Sequence, residues 1–377
     1  MPLRVRVPRL SGGAGPGVTL TGNSARQNTT STSGAVVQTH VLAGASVRQD
    51  NTSTSGAVAQ THVLAGENAQ QDNTSTSGAI SGAATLAGNN VRQDNTSTSG
   101  AVTQTHVLAG ASARQDNTST SGAISSSGSL AGNNVAVPNT STSGAVTQAH
   151  VLAANGAASS NTSTSGAVST SHVLAGASAR QDNTSTSGAV SGASGLTGNS
   201  VRVDHTSTSA AVAQTHVLAA NSARQNTTSS AAAVTQVHQI SGAGAAQPNT
   251  STSGAFSLTT TLAGANASQP TTSTSAGVQQ IHQLAGSGAQ QVNTGTAAAV
   301  GQVHVLQAAP VAVDHIAAAS AVVQTHLLAA NDVAQANTAT DGQVIDGVYE
   351  PNPDRIIVVR AEPRIILVKP ESRTIAA

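Results

Sequence analysis

Apolar and polar residues follow one another in a pattern that returns every 22 residues along the chain. With Asn51 at position 1, its consensus is N-T-S-T-S-G-A-V-x-Q-T-H-V-L-A-G-A-S-x-R-Q-D. Position 8 is apolar in every unit, and position 14 is Leu in every unit except one, which has Ile240. Positions 8, 10, 12 and 14 share one face of an extended strand, because side chains alternate with a period of two. The segment is therefore predicted to be a β-strand with one Val, Gln, His and Leu face.

Fourteen units run from Thr29 to Ala336 without an insertion (14 × 22 = 308 residues). Loops of globular domains tolerate insertions, so a register kept this strictly indicates units that stack on one another. Thr-rich segments favour strands and Gly-Ala steps favour bends, whereas no 3.6-residue apolar stripe supports a helix. The sequence predicts an all-β protein, a repetitive β-solenoid or β-helix fibre with 22-residue rungs.

The predicted core is thin. One Val and one Leu per rung bury little apolar surface, and burial contributes only about 25 cal/mol per Å². Stacked rungs share stabilisation with their neighbours, and identical chains wound around one axis would share more. Two architectures therefore stay open, a single-chain solenoid and an intertwined homotrimer. We expect self-association, with three chains as the expected number.

The two ends differ from the shaft of residues 18–346. Residues 1–17 form a basic N-terminal arm with the Gly-rich hinge SGGAGPG. Residues 347–377 bring Pro, charges and runs of Ile and Val, with a second repeat of nine residues marked by Arg355, Arg364 and Arg373. Short β-strands are predicted there. We expect this C-terminal β region to join or cap the chains and the N-terminal arm to anchor them.

Composition removes several classes of protein. Charged residues are 8%, aromatic residues are 1%, Cys is absent and the formal net charge is zero. A neutral chain has no electrostatic footprint for nucleic acid or a membrane surface. No stretch approaches the ~20 apolar residues of a membrane span, and no apolar run follows the basic N-terminus as in a signal peptide. We expect that the protein is not an enzyme and that it has no cofactor, no nucleic-acid partner and no membrane partner.

Histidine is the most prominent candidate for chemistry. Position 12 is His in ten units: His40, His62, His106, His150, His172, His216, His238, His282, His304 and His326. Neutral imidazole binds metals, and a threefold axis could bring three copies together. No Asp, Glu or Cys shares this face, so we favour a buried ladder in which His and the Gln at position 10 satisfy each other. We predict no catalytic, cofactor-binding or metal-binding residue.

Four units replace Gln and His together, at Gly82/Ala84, Ser126/Gly128, Gly192/Ser194 and Leu258/Thr260. Joint replacement indicates that the two side chains contact each other or one common partner, or it marks the history of duplication. We interpret Asn at position 1, formally part of a glycosylation sequon, as a turn residue at a strand entry.

Outward positions carry two further patterns. Arg and Asp at positions 20 and 22, as in Arg48 and Asp50, share one strand face and would oppose sideways sticking. Thr-x-Thr, as in Thr52 and Thr54, is typical of ice-binding solenoids, although Thr is also an ordinary strand residue.

The tandem units Gln38-Thr-His40-Val-Leu42 and Gln60-Thr-His62-Val-Leu64 resemble repeats in structural proteins of tailed bacteriophages. The closing unit Arg355-Ile-Ile-Val-Val-Arg-Ala-Glu362 is similar to C-terminal tails of small phage proteins encoded near head genes. Together these resemblances cover about residues 18–375. They imply a virion component that is made in the host cytoplasm, and they supply no catalytic residue.

We therefore expect a capsid-attached fibre or decoration protein whose partners are its own copies and capsid or other virion proteins. The chain has no aromatic-rich segment typical of a receptor-binding tip, which favours the head over the tail. A tail fibre or tail-associated protein, and a secreted curli-like or ice-binding β-solenoid, remain the alternatives.

Overall fold

A computed structural model describes residues 17–33, 35–208, 211–230, 233–252, 255–274, 277–296, 299–308, 311–317, 321–328, 333–339, 343–349 and 357–359. Every regular element within these ranges is a β-strand. The chain divides into two compact units, Met1–Ala210 and Ala211–Ala377.

Unit 1 contains fourteen strands, the last four of which run through a bend. They are β1 Val18–Thr21, β2 Ser24–Ser31, β3 Val36–Ala43, β4 Ser46–Ser53, β5 Val58–Ala65, β6 Asn68–Ser75, β7 Ile80–Ala87, β8 Asn90–Ser97, β9 Val102–Ala109, β10 Ser112–Ser119, β11 Ile124–Ser141, β12 Val146–Ser163, β13 Val168–Ser185 and β14 Val190–Ser207.

The described residues of unit 2 have the same organisation and also form fourteen strands, most of them short. They are β15 Val212–Ser229, β16 Val234–Ser241, β17 Gly244–Ala246, β18 Asn249–Ser251, β19 Phe256–Ala263, β20 Asn266–Ser273, β21 Val278–Gly286, β22 Ala289–Gly295, β23 Ala299–Ala308, β24 Val311–Ala317, β25 Ala321–Leu328, β26 Val333–Ala339, β27 Gln343–Tyr349 and β28 Ile357–Val359.

Strands pair in parallel with the residue 22 positions further along the chain. Val58 of β5 pairs with Ile80 of β7, and Asn73 of β6 pairs with Asn95 of β8. Each rung therefore supplies one strand to a first sheet (positions 8–15) and one to a second sheet (position 18 to position 3 of the next unit). The predicted all-β solenoid with 22-residue rungs is confirmed in each unit. The number of chains in the assembly stays a prediction.

The core lies between the two sheets of a rung. Positions 8, 10, 12 and 14 of the first strand are buried, as predicted, and so are positions 19, 21, 1 and 3 of the second. In one rung these residues are Val58, Gln60, His62, Leu64, Ala69, Gln71, Asn73 and Ser75. Polar side chains thus fill the middle of the core, with Leu at one end and Val at the other.

Close stacking explains the glycines at the corners. A Cβ on Gly78 would lie 2.0 Å from the carbonyl oxygen of Gly56, one rung away. Inside the corner, Ser53 Oγ donates to the Gly56 carbonyl at 2.6 Å, and the Gly56 N–H donates back to Ser53 Oγ at 3.1 Å. The S-G-A segment therefore makes a turn whose backbone polar groups are satisfied locally.

The described residues include little of the two predicted terminal regions. The N-terminal arm lies outside the described residues apart from residue 17, and so do Arg355, Arg364 and Arg373 of the nine-residue repeat. Pairing at 22 residues continues to Val359, which pairs with Asn337, beyond the predicted end of the shaft at residue 346. The boundary at 346 stays a prediction.

Neighbouring residues of β5 allow a matched test of the core. Leu64 is fully buried, whereas Val63 is 42% exposed. We expect Leu64→Ala to lower the free energy of unfolding by about 2–5 kcal/mol, because the cavity would lie between stacked rungs. Val63→Ala should cost less than about 1 kcal/mol. Equilibrium denaturant unfolding measures both, and equal losses would contradict the assignment of the two faces.

Candidate functional site

Nine of the ten histidines of position 12 are buried in the core, and eight of them stack along the solenoid axis in pairs. The side chain of His326 lies outside the described residues. Ring centroids are 5.3–5.6 Å apart and the rings lie within 18° of parallel, in His40–His62, His150–His172, His216–His238 and His282–His304. The separation follows the ~4.8 Å spacing of the strands that carry the rings. The spacing of the paired strands therefore determines the distance between the stacked rings.

Gln at position 21 of the second sheet is the main partner of these rings. The side-chain nitrogen of Gln49 donates to His62 Nε2 at 2.9 Å and to Gln38 Oε1 at 3.2 Å. Gln225 makes the same two contacts, with His238 at 2.8 Å and with Gln214 at 3.2 Å. A direct bond between positions 10 and 12, at 2.8 Å, joins Gln104 and His106. The predicted His–Gln ladder thus includes a third side chain from the opposite sheet.

Three of the four units that lack Gln and His keep a contact with this partner, whereas Gly82 and Ala84 of the fourth have no polar side-chain atom to make one. Gln115 donates to Ser126 Oγ at 2.7 Å. Ser194 donates to Gln181 Oε1 at 2.6 Å, and Thr260 donates to Gln247 Oε1 at 2.8 Å. The glutamine at position 21 contacts position 10 of one unit and position 12 of the next, as Gln49 does with Gln38 and His62. Within one unit the two positions meet directly, as in Gln104 and His106. A single common amide therefore does not explain the joint replacements.

A larger side chain on the second sheet stands opposite one of the small replacements. Asn183 donates to His205 Nδ1 at 3.2 Å and contacts Thr170 Oγ1 at 3.3 Å. Thr170 pairs with Gly192 and Asn183 pairs with His205, so His205 stands opposite Gly192 in the next rung. An imidazole therefore replaces Asn where Gln is replaced by Gly. The larger imidazole thus takes up part of the space that the smaller residues leave, in keeping with the close packing of protein interiors.

Asn at position 1 forms a second buried ladder, so its interpretation as a turn residue was wrong. Asn51 lies inside β4 and is buried. From Asn51 to Asn183, each side-chain amide donates to the Asn oxygen of the next rung at 2.7–3.3 Å. The signal was present as a second two-residue alternation through positions 19, 21, 1 and 3, which crosses the border chosen between units.

Burial keeps the imidazoles neutral. Desolvation lowers the pKa of His62, His106, His216 and His282 from 6.5 to about 3, and that of His150 to about 4. Neutral imidazole is the form that binds metals. Among the described residues, however, no three His, Cys, Asp or Glu side chains lie together as a metal site would require.

Charges lie on the outward side of the second sheet. Arg48 contacts Asp50 of its own strand at 2.7 Å and Asp72 of the next rung at 3.0 Å. Arg92 and Asp94 repeat the first contact at 2.7 Å. The arginine side chains are 43–54% exposed and the aspartates 20–24%, so solvent screens each pair and its contribution to stability is small. The predicted pairing on one strand face is observed, with additional contacts between rungs.

Threonine forms the neighbouring rows. In unit 1, position 2 is Thr in every rung from Thr30 to Thr206, and position 4 is Thr from Thr32 to Thr208. Position 4 is exposed in each of these rungs, and position 2 is exposed in all except the half-buried Thr206. The rows therefore present hydroxyl groups at the rung spacing.

Comparison of the chain with models of protein families, with curated proteins and with solved structures finds no match. The described residues include no helix with the length and apolar character needed to cross a bilayer. The site is thus characterised by its side chains alone.

The lowered pKa values predict loss of stability in acid. Between pH 6.5 and pH 3 the unfolded chain binds protons at histidines that stay neutral when folded, so the free energy of unfolding falls as pH falls. Each such histidine should cost about 2 kcal/mol between pH 7 and pH 5. Denaturant unfolding at the two pH values, compared for wild type and His62→Thr/His106→Thr, measures this loss.

The double variant should lose less stability than wild type over this interval, because two of the titrating rings are absent. Val63→Thr/Val107→Thr is the matched control, with the same new residue on the outward side, and it should keep the wild-type dependence. Equal pH dependence in the histidine variant and wild type would contradict the assignment of buried neutral histidines.

The asparagine ladder predicts a different dependence on residue type. Asn117 accepts from Asn95 at 2.9 Å and donates to Asn139 at 2.7 Å. Asn117→Leu leaves a buried donor and a buried acceptor unpaired, which should cost about 1–3 kcal/mol. Asn117→Thr, a residue found at this position in unit 2 as Thr227, should cost less. Thermal and denaturant unfolding measure these losses, with the exposed Thr118→Ala as control. An unchanged free energy of unfolding in Asn117→Leu would contradict the ladder.

Proposed function

We propose that the protein is a structural component of a phage virion, a capsid-attached fibre or decoration protein that associates with its own copies and performs no catalysis. The observation that carries the proposal is the interior of the rungs. Asn, Gln and His repeat at the same inward positions and bond to one another, so the polar groups of the core serve to hold rungs together.

This interior supports a structural role because side chains fill the space between the two sheets. Position 12 meets position 21 across the core at 2.9 Å in the His62 rung. Enzyme active sites instead place polar groups around a cleft that admits a substrate. Rungs that stack in register extend a rigid element at low cost in sequence complexity.

The resemblance of the Gln-x-His-x-Leu units to repeats in tailed-phage structural proteins supports a place in the virion. In this chain Gln60, His62 and Leu64 all lie in the core. Selection for stacking alone would keep such a motif, and a long inert element is what a particle surface uses. A head location is favoured over the tail by the near absence of aromatic residues, which are 1% of the chain.

One observation favours a second candidate, a solenoid that binds an ordered surface such as ice. The rows that include Thr52 and Thr54 keep Thr at both positions in every rung of unit 1, although outward positions of the first sheet vary. The same rows lie beside the charged Arg and Asp positions. This makes them a hydrophilic edge of the second sheet as well as a hydroxyl array.

The proposal is tested on particles of the phage that encodes this chain. They are purified by density gradient from lysates of producing cells. Full-length protein should cofractionate with particles. Deletion of residues 1–17 should leave a β-type circular dichroism spectrum and remove the protein from particles, since the basic arm is the predicted anchor. Deletion of residues 355–377 is the matched control at the other end and should keep particle binding. Absence of the full-length chain from particles would contradict a virion role, and the opposite deletion result would exchange the roles of the ends.

A further inference from the structure

Among the described residues of unit 1, every charge except that of Glu67, which lies in the turn between the sheets, is on the second sheet. Positions 9, 11, 13 and 15 point outward from the first sheet, and from Val37 to Thr197 none of them is Asp, Glu, Lys or Arg. We call these outward residues of β3, β5, β7, β9 and the first halves of β11 to β14 the uncharged face. The Arg and Asp residues of positions 20 and 22 are on the second sheet.

Valine is the largest side chain of the uncharged face. Five of the eight rungs have Val at position 13, and these valines are 42–53% exposed: Val41, Val63, Val107, Val151 and Val173. Thr or Ala occupies position 11 in most of the same rungs. A flat, regular β-surface of this composition, with no charge on it, is the kind that associates with another surface.

The area of the uncharged face is sufficient for a stable interface. Eight strands of eight residues, spaced by ~4.8 Å and rising ~3.3 Å per residue, cover roughly 1,000 Å². Specific protein interfaces bury about 800 Å² on each partner. Unit 1 alone can therefore supply one partner surface.

The remaining three rungs make the face complementary to itself. Position 13 reads Val41, Val63, Thr85, Val107, Ser129, Val151, Val173 and Gly195 in order. When this row is laid against a second copy in reversed order, the residue numbers of facing positions sum to 236. Gly195, Thr85 and Ser129 then each face a valine, and Val63 faces Val173. Every small side chain is thus matched by a large one over the full length of the row.

We propose that the uncharged face of unit 1 packs against the same face of a second copy of this chain, related by a twofold axis parallel to the strands. This places Val41 opposite Gly195 of the other copy. The arrangement is isologous, so one flat face per chain closes at two chains instead of the three expected from the thin core. The inference names the surface for the self-association in the proposed function and rests on that part of it.

Crosslinking tests the register directly, because the chain has no Cys. Val41→Cys and Gly195→Cys are made as separate full-length variants, and a Cβ at Gly195 meets no atom within 4 Å. A short bis-maleimide should join the two variants after they are mixed. Val41→Cys alone should not crosslink, since its copies would lie seven rungs apart, roughly 34 Å at the usual strand spacing. Thr52→Cys mixed with Thr184→Cys, on the second sheet, is the matched control and should not crosslink.

Charge on the face gives an independent readout by sedimentation velocity. Wild type should sediment as two chains at micromolar concentration. Val107→Lys/Val151→Lys should weaken association by about tenfold or more, because each lysine would be buried against another face. Thr96→Lys/Thr140→Lys, the control on the second sheet, should associate as wild type does. Circular dichroism confirms that each variant is folded.

The outcomes separate the inference from the proposed function. A single-chain wild type would overturn both the self-association and the face. Associated wild type without crosslinks in the mixture of Val41→Cys and Gly195→Cys would overturn the face alone, as would crosslinking of Val41→Cys by itself. If the lysine variant does not fold, the crosslinking result decides. Binding to phage particles is measured separately and depends on neither result.

Discussion

In-register stacking of rungs is the constraint on which the rest of this structure depends. A shift of one residue would send Val58, Gln60, His62 and Leu64 outward and bring their neighbours into the core. A shift by a whole rung would preserve the strand pattern and still be penalised wherever a rung differs, as at Gly192 and His205. The insertion-free sequence and such differences between rungs act together to fix one register.

The polar core follows from that constraint. A buried amide is costly unless both its donor and its acceptor are used, and a neighbour identical to itself at the strand spacing satisfies both. Asn73 illustrates this, since it accepts from Asn51 and donates to Asn95. The thin apolar core is therefore supplemented by hydrogen bonds that run along the axis. Burial in this core lowers the pKa of histidines such as His62 and His216 by desolvation and keeps them neutral.

Each sheet has a distinct outward surface because the two strands of a rung carry different residues. Arg48 pairs with both Asp50 and Asp72, so charges of the second sheet pair with one another. In unit 1 the outward positions of the first sheet, from Val37 to Thr197, carry no charged residue and present Val63 and its counterparts. A solenoid with one charged side and one uncharged side can present a neutral surface for association and a hydrated surface to solvent at the same time.

The sequence by itself determined the strands, the 22-residue rung and the inward face of Leu64 and His62, because a two-residue alternation and an unbroken period are local signals. It also identified the residues that vary together at positions 10 and 12. Only the tertiary structure decided that Gln49 joins Gln38 of one unit to His62 of the next. This contact depends on which strand of the rung faces which across the interior, and a repeat has no sequence mark for that. The inward place of Asn51 had a sequence signal, the alternation through positions 19, 21, 1 and 3, which the border chosen between units concealed. Position 21 and position 12 are brought together by the turn between the sheets, at a separation set by packing.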